Sequence, residues 1–112
     1  MANNVKDKSI PIQLDRERNL KFDLNAFIEL EEKYGSIDDA FKSLEGGRIK
    51  AIRTILWAGL LHEDENLTEK QVGALVTVDK LNEITDKLTE AINKALPTGD
   101  PKNSQTPALD TP

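Results

Sequence analysis

The chain contains no cysteine, a single histidine and only five aromatic residues besides it. Without cysteine there are no disulfides, thiol nucleophiles or thiolate metal sites, and this composition fits a reducing compartment such as the cytoplasm. Long apolar runs are also missing, because the longest, around residues 55–61, is far shorter than the roughly 20 residues that span a bilayer. The sequence therefore predicts neither cysteine chemistry nor a membrane anchor.

Basic residues are outnumbered as well. The 112 residues carry 15 Lys and Arg against 20 Asp and Glu, which gives a formal net charge of −5. This charge disfavours nucleic acid and anionic membranes as partners, because both present phosphate groups. A chain of this length has room for one modest hydrophobic core, so we expect a single domain that acts through its surface.

Composition divides the chain into three parts. Residues 1–8 are polar and predict a flexible leader. Residues 97–112 contain four prolines and few apolar side chains, which predicts a disordered tail because burial cannot offset the entropy of ordering. Residues 9–96 hold the apolar patterns of one compact helical domain.

The domain opens with two short alternating patterns. Apolar and polar residues alternate over residues 10–14 and again over residues 20–23, with a polar stretch at residues 15–19 between them. This arrangement predicts a β-hairpin with its turn in the polar stretch. Pro11 favours an edge position for the first strand, since proline has no amide hydrogen to donate to a sheet.

The remaining domain has helical periodicity and predicts about five helices in a bundle, so the fold is expected to be mainly α with a small N-terminal hairpin. Asp23 is suited to cap the first helix, which Gly35 ends. Ser36 with Asp39, and Thr68 with Gln71, have capping-box spacing. The expected apolar faces are Leu24, Phe27, Ile28 and Tyr34; Ile37, Ala40, Phe41 and Leu44; Ile49, Ile52, Ile55, Leu56 and Leu60; Val72, Leu75 and Val76; and Leu81, Ile84, Leu88, Ala91, Ile92, Ala95 and Leu96.

His62 is the one histidine that could serve a metal or a catalytic proton transfer. A zinc-protease helix would need a second histidine where Asn66 stands, and no cysteine can replace it. We expect a solvated loop here, and a weak hard-cation site at Glu63, Asp64 and Glu65 remains an alternative. No motif for a nucleophile or a cofactor accompanies this histidine, so the sequence predicts a protein without catalytic activity, cofactor or metal. A small hydrolase that depends on His62 is the alternative.

Trp57 and Leu61 are helical neighbours that lie about 80–120° away from the main apolar face of the third helix. Two explanations are open. A central helix buried from two sides would place both residues in the core. Alternatively they face a partner, a role in which tryptophan is enriched.

The chain from Ile12 to about Leu96 resembles the tail assembly chaperones of long-tailed phages and of prophages in Gram-positive bacteria. The family pattern is a short strand, a Leu-Glu-Glu helix, an Ala-Gly-Leu helix end followed by His-Glu/Asp, and a closing helix that begins near a Val-Gly pair. The matching segments are RNLKFDLNAF at residues 18–27, LEEKYGS at 30–36, IDDAF at 37–41, LWAGLLHED at 56–64, LTE at 67–69 and Val72-Gly73.

This resemblance implies a non-enzymatic protein that binds the tape measure protein, and in many members also tail tube subunits (the major tail protein), before tail polymerisation. It would act in the host bacterial cytoplasm and be absent from the mature virion. Because a helical groove suits an amphipathic helix, we expect Trp57, Leu61, Tyr34 and Phe41 to contribute to the partner surface. The alternative is a helical scaffold or regulatory domain that homo-oligomerises through its last helix.

Overall fold

The computed structural model describes residues 9–96, and the predicted leader 1–8 and tail 97–112 lie outside these residues. Within them, a two-stranded hairpin precedes five α-helices and one short 3₁₀-helix. The prediction of a mainly α fold with an N-terminal hairpin is confirmed. The elements are β1 (Ile10–Gln13), β2 (Glu17–Leu20), α1 (Leu24–Tyr34), α2 (Ile37–Glu45), α3 (Ile49–Leu60), α4 (Glu69–Gly73), the 3₁₀-helix (Val78–Lys80) and α5 (Leu81–Ala95).

The two strands of the hairpin pair in antiparallel register, with Ile10 opposite Leu20 and Ile12 opposite Arg18. All four of these side chains face the core and are buried. Pro11 is exposed between them. In a sheet of two strands each strand is an edge, and this accommodates the missing amide hydrogen as predicted.

The second strand begins earlier than predicted. We expected a turn over residues 15–19 and a strand from residue 20, but β2 occupies Glu17–Leu20. The cause is Arg18, whose Nε and Nη2 donate to the Asp15 carboxylate at 2.8 and 3.0 Å. Because this pairing satisfies the guanidinium, Arg18 takes an inward position at 9% exposure, where alternation leads one to expect an apolar residue.

The ends of α1 and α2 are set by the capping residues that the sequence indicates. The Asp23 carboxylate accepts a hydrogen bond from the Ala26 amide at 2.9 Å, and the Ser36 hydroxyl accepts one from the Asp39 amide at 3.0 Å. Gly35 separates the two helices with φ at 91°, in the left-handed region that favours glycine. Local hydrogen bonding therefore fixes where each helix begins.

The predicted apolar face of α1 is only partly buried, since Phe27 and Tyr34 pack against the core but the other two residues do not. Leu24 and Ile28 were assigned to it, but they are 74% and 42% exposed. The buried residues are Ala26 and Leu30, one turn apart. At about 100° per residue these two pairs lie on opposite sides of the helix. Packing of α1 against α2 and α3 buries the face with Ala26 and Leu30, which the sequence analysis did not identify.

α3 is the central helix and packs against β2, α1, α2, α4 and α5. Its contact with the hairpin is closest at Gly59, where a Cβ atom would lie 2.9 Å from Cζ of Phe22 and 3.0 Å from Cδ2 of Leu20. The Lys21 amide donates to the Gly59 carbonyl at 2.9 Å. Glycine is therefore required for the hairpin to approach this helix. The buried residues of α3 are Ala51, Ile52, Thr54, Ile55, Leu56, Ala58, Gly59 and Leu60.

The capping box predicted for α4 is present, but the helix ends at Gly73, before Leu75 and Val76, which the sequence placed on its apolar face. The Gln71 amide donates to the Thr68 hydroxyl at 3.1 Å, and the Thr68 amide donates to the Gln71 side chain at 2.9 Å, which completes the predicted capping box of α4. α5 begins at Leu81 because residues 78–80 form the 3₁₀-helix. It packs against α3 and β1. Its stripe therefore serves the internal core, with Ile84, Leu88, Ala91 and Ile92 buried.

Candidate functional site

Two strongly exposed apolar residues flank one groove on the surface of the domain. Ile49, at the start of α3, is 61% exposed, and Val78, in the 3₁₀-helix, is 76% exposed. The sequence assigned Ile49 to the buried face of its helix. It is exposed because residues 45–50, at the end of α2 and the first turn of α3, all lie at the surface. Exposed apolar side chains that lie together beside an apolar groove mark a candidate binding site.

The groove lies between α3, α4 and the segment that leads into α5. Ile52, Leu56 and Val72 form its buried floor. Its volume is about 190 Å³, which is comparable to an apolar cavity of about 150 Å³ that holds a benzene ring. It can therefore receive one or two aliphatic side chains from a partner.

A basic depression adjoins this groove. Four cationic residues line it, together with one acid, Glu69, and its volume is about 600 Å³. Arg53 lines both the groove and the depression, so the two surfaces are contiguous. The hydroxyl-bearing residues Tyr34, Ser43 and Thr54 also line it. The four cationic residues are Lys33, Arg48, Lys50 and Arg53.

Glu69 already forms ion pairs with two of these four cations. Its carboxylate accepts a hydrogen bond from the Thr54 hydroxyl at 2.8 Å, and it lies 3.1 Å from Nζ of Lys33 and 3.6 Å from Nη2 of Arg53. Burial acts to raise the pKa of Glu69, but these hydrogen bonds and cations outweigh it and lower the pKa. Glu69 is therefore a fixed anion within the depression.

Among the described residues, Arg48 and Lys50 have no such partner. Both are exposed, and neither forms an ion pair with any residue in the 9–96 range. Both stand next to Ile49 in the sequence. The free positive charge of the depression therefore lies beside the exposed apolar side chain that flanks the groove.

Trp57 is one of the four residues predicted to bind a partner. In the structure it contacts the segment between α3 and α4. Its side chain is half-buried against the core. The indole Nε1 donates to the Leu67 carbonyl at 2.8 Å, and Nζ of Lys33 lies 5.2 Å from the ring centroid. Trp57 thus connects α3 to the segment that precedes α4, and only part of its ring remains at the surface.

The other three predicted residues are half-buried and do not meet in one place. Tyr34 lines the basic depression, where burial raises the pKa of its hydroxyl. Leu61 lines a different depression beside Ile28. Phe41 packs against the hydrophobic core. Their role in partner binding stays a prediction, and a groove flanked by Ile49 and Val78 was not expected, because Val78 lies in a short connection without periodicity.

The loop that contains His62 binds the hairpin. Nε2 of His62 lies 2.7 Å from the Asn19 carbonyl oxygen, and since a carbonyl can only accept, this nitrogen carries the hydrogen. The Asn19 amide donates to the Glu63 carboxylate at 3.0 Å, and Nη1 of Arg18 lies 3.7 Å from the same group. In the described part of the chain, no three side chains of His, Cys, Asp or Glu are grouped as metal ligands. Residues 62–66 are exposed, as predicted for a solvated loop, and the loop also contributes contacts to the hairpin.

No family model, curated protein or solved structure matches this chain. Among the helices of residues 9–96, none has both the length and the apolar character needed to cross a bilayer.

Proposed function

We propose that this chain is a phage tail assembly chaperone. It binds the tape measure protein, and also tail tube subunits, and keeps them soluble until the tail polymerises. It acts in the host bacterial cytoplasm without catalysis or a cofactor, and it leaves before the virion is complete. The observation that carries the proposal is the apolar groove between exposed Ile49 and Val78, and the sequence resemblance to these chaperones gives the groove its occupant.

The physical case rests on what an unassembled tape measure protein presents to water. A long amphipathic helix exposes an apolar stripe, and stripes of this kind associate with one another unless they are covered. A groove on a helical domain receives side chains spaced three and four residues apart along such a stripe. Complete burial of one aliphatic side chain contributes roughly 1.5–3 kcal/mol. Contacts with Ile49 and Val78 would add to this, because both lose exposed area on binding.

The test is co-expression of the chain with the tape measure protein from the same genome, followed by measurement of the soluble fraction of that protein. We expect the wild-type chain to raise the soluble fraction and to co-purify with it. Ile49→Glu and Val78→Glu should abolish both effects, because each places a charge at the mouth of the groove. The two residues are exposed, so the domain should fold normally, as circular dichroism would check.

Leu24→Glu is the matched control, since Leu24 is 74% exposed but lies on α1 and does not line the groove. It should leave the solubilising effect unchanged. Equal solubilisation by the Ile49→Glu and wild-type chains would exclude the groove as the binding site. A tape measure protein that stays insoluble beside the wild-type chain would contradict the proposed function itself.

A further inference from the structure

The charge of the basic depression is opposite to that of the chain as a whole. The chain carries a formal charge of −5, yet the depression is lined by four cationic residues and a single acid. General solubility does not require cations to gather in this way in an acidic protein. Charge complementarity therefore indicates a partner group that is negative at this position.

Glu69 shows what kind of group the depression holds. Its carboxylate is bound by the Thr54 hydroxyl and by Lys33 and Arg53 on the chain's own elements. Arg48 and Lys50 remain exposed at the rim and could bind a second carboxylate. A nucleic acid is less well suited, because the chain as a whole carries a formal charge of −5 and repels a phosphate backbone.

The depression and the groove share Arg53, so a single bound segment can occupy both. On a helix, side chains three or four residues apart lie on the same side, about one turn from each other. A helical segment with its apolar stripe in the groove therefore places residues about one turn further along near Arg48 and Lys50. Acidic residues at those positions would meet free cations.

We propose that the bound segment is an acidic amphipathic helix, whose aliphatic side chains enter the groove and whose adjacent Asp or Glu residues bind Arg48 and Lys50. This inference rests on the proposed function, because it specifies the chemistry of the helical segment that the chaperone binds. The basic depression thereby selects among apolar helices and orients the one that binds.

The test uses two synthetic helical peptides with the same leucine stripe, one with glutamates and one with glutamines beside it. Each carries a fluorescein label, and binding is followed by fluorescence polarisation. At low salt we expect the glutamate peptide to bind about 3- to 10-fold more tightly, the range that two partly exposed ion pairs provide. The difference should shrink at about 0.5 M NaCl, because salt screens exposed charges.

The double variant Arg48→Gln/Lys50→Gln should lower the affinity for the glutamate peptide to that for the glutamine peptide, and it should leave the glutamine peptide unaffected. Both side chains are exposed, so the fold should persist. Lys94→Gln is the matched control, because Lys94 is an exposed cation on α5 that lines neither surface. It should reduce binding of neither peptide.

The two proposals fail differently. Equal affinity for both peptides, lost on Ile49→Glu, would overturn the acidic-helix inference and leave the groove intact. The acidic-helix inference would also be overturned if the double variant lowered the affinity for both peptides by the same factor. Tighter binding of a single-stranded oligonucleotide than of the glutamate peptide, at the same residues, would assign the depression to phosphates and overturn the inference. Binding of neither peptide would also overturn the acidic-helix inference, whereas the proposed function is decided by the co-expression test.

Discussion

The Asn19 amide donates a hydrogen bond to the Glu63 carboxylate at 3.0 Å, across 44 residues of sequence. The carbonyl of the same residue is bound by His62 at 2.7 Å. Two residues further along, the Lys21 amide donates to the Gly59 carbonyl at 2.9 Å. The end of α3 and the loop after it therefore bind the outer side of β2 and hold the hairpin against the central helix.

Glu63→Ala should destabilise the domain by about 1–2 kcal/mol, because it removes a hydrogen bond to a charged acceptor and the second carboxylate near Arg18. Urea denaturation followed by circular dichroism measures this change. Glu65→Ala is the matched control, since Glu65 is exposed in the same loop and should alter stability by less than about 0.5 kcal/mol. Equal effects of the two variants would show that the loop does not hold the hairpin.

Asp15 gives the hairpin a pH dependence in the acid range. The hydrogen bond and charge of Arg18 lower its pKa from 3.8 to about 2. Because the folded state has the lower pKa, the stabilisation by Asp15 is complete above pH 4 and is lost as the pH falls from about 4 to about 2. The gap in urea midpoint between wild type and Asp15→Asn should therefore narrow over this range.

The control for this pH series is Asp86→Asn, on the exposed side of α5. Its midpoint should follow that of the wild type from pH 6 to the acid limit of folding. A gap for Asp15→Asn that is constant with pH would mean that the carboxylate makes no ionic contribution to the hairpin.

Trp57→Phe should destabilise the domain by about 1–2 kcal/mol although most apolar contact is retained. The substitution removes the hydrogen bond from the indole to the Leu67 carbonyl and weakens the contact with Lys33. Thermal and urea unfolding monitored by circular dichroism give the value, since the variant has no tryptophan fluorescence. An unchanged midpoint would assign Trp57 to the surface rather than to the link between α3 and residue 67.

Gly59→Ala should cost about 1–3 kcal/mol, because the added methyl group overlaps with Phe22 and Leu20 at 2.9 and 3.0 Å. Gly46→Ala offers a direct comparison. Its Cβ would meet the nearest atom at 3.4 Å, and its φ of −74° suits any residue, so little change in stability is expected. Similar unfolding midpoints for the two variants would contradict the close approach of the hairpin to α3.

Much of the fold could be predicted because its signals are local. The Asp23 cap, the Thr68 and Gln71 capping box and the stripe of α5 each depend on residues within one or a few turns. The start of β2 was missed because Arg18 occupies a core-facing position through its pairing with Asp15. A charged residue in such a position is recognisable only once its partner is known.

The candidate site was less predictable, since it depends on which surfaces remain uncovered. Ile49 has the periodicity of a buried residue, and only the position of the α3 start relative to its neighbours leaves it exposed. Arg48 and Lys50 gather with Lys33 through tertiary packing. The sequence pattern of a helix does not predict which of its sides will remain uncovered by other elements of the fold.

Pro11 lies opposite Asn19, whose backbone groups point away from β1 towards His62 and Glu63. In an antiparallel pair, two opposite residues point their amide and carbonyl groups either both towards the other strand or both away from it. Because those of Asn19 point away from β1, the nitrogen of Pro11 lies on the outer edge of β1. Open edges can template pairing with a strand of another chain. Here one edge presents a proline and the other is occupied by the chain's own loop. Neither edge of the hairpin is therefore open to pair with a strand from another copy of this chain.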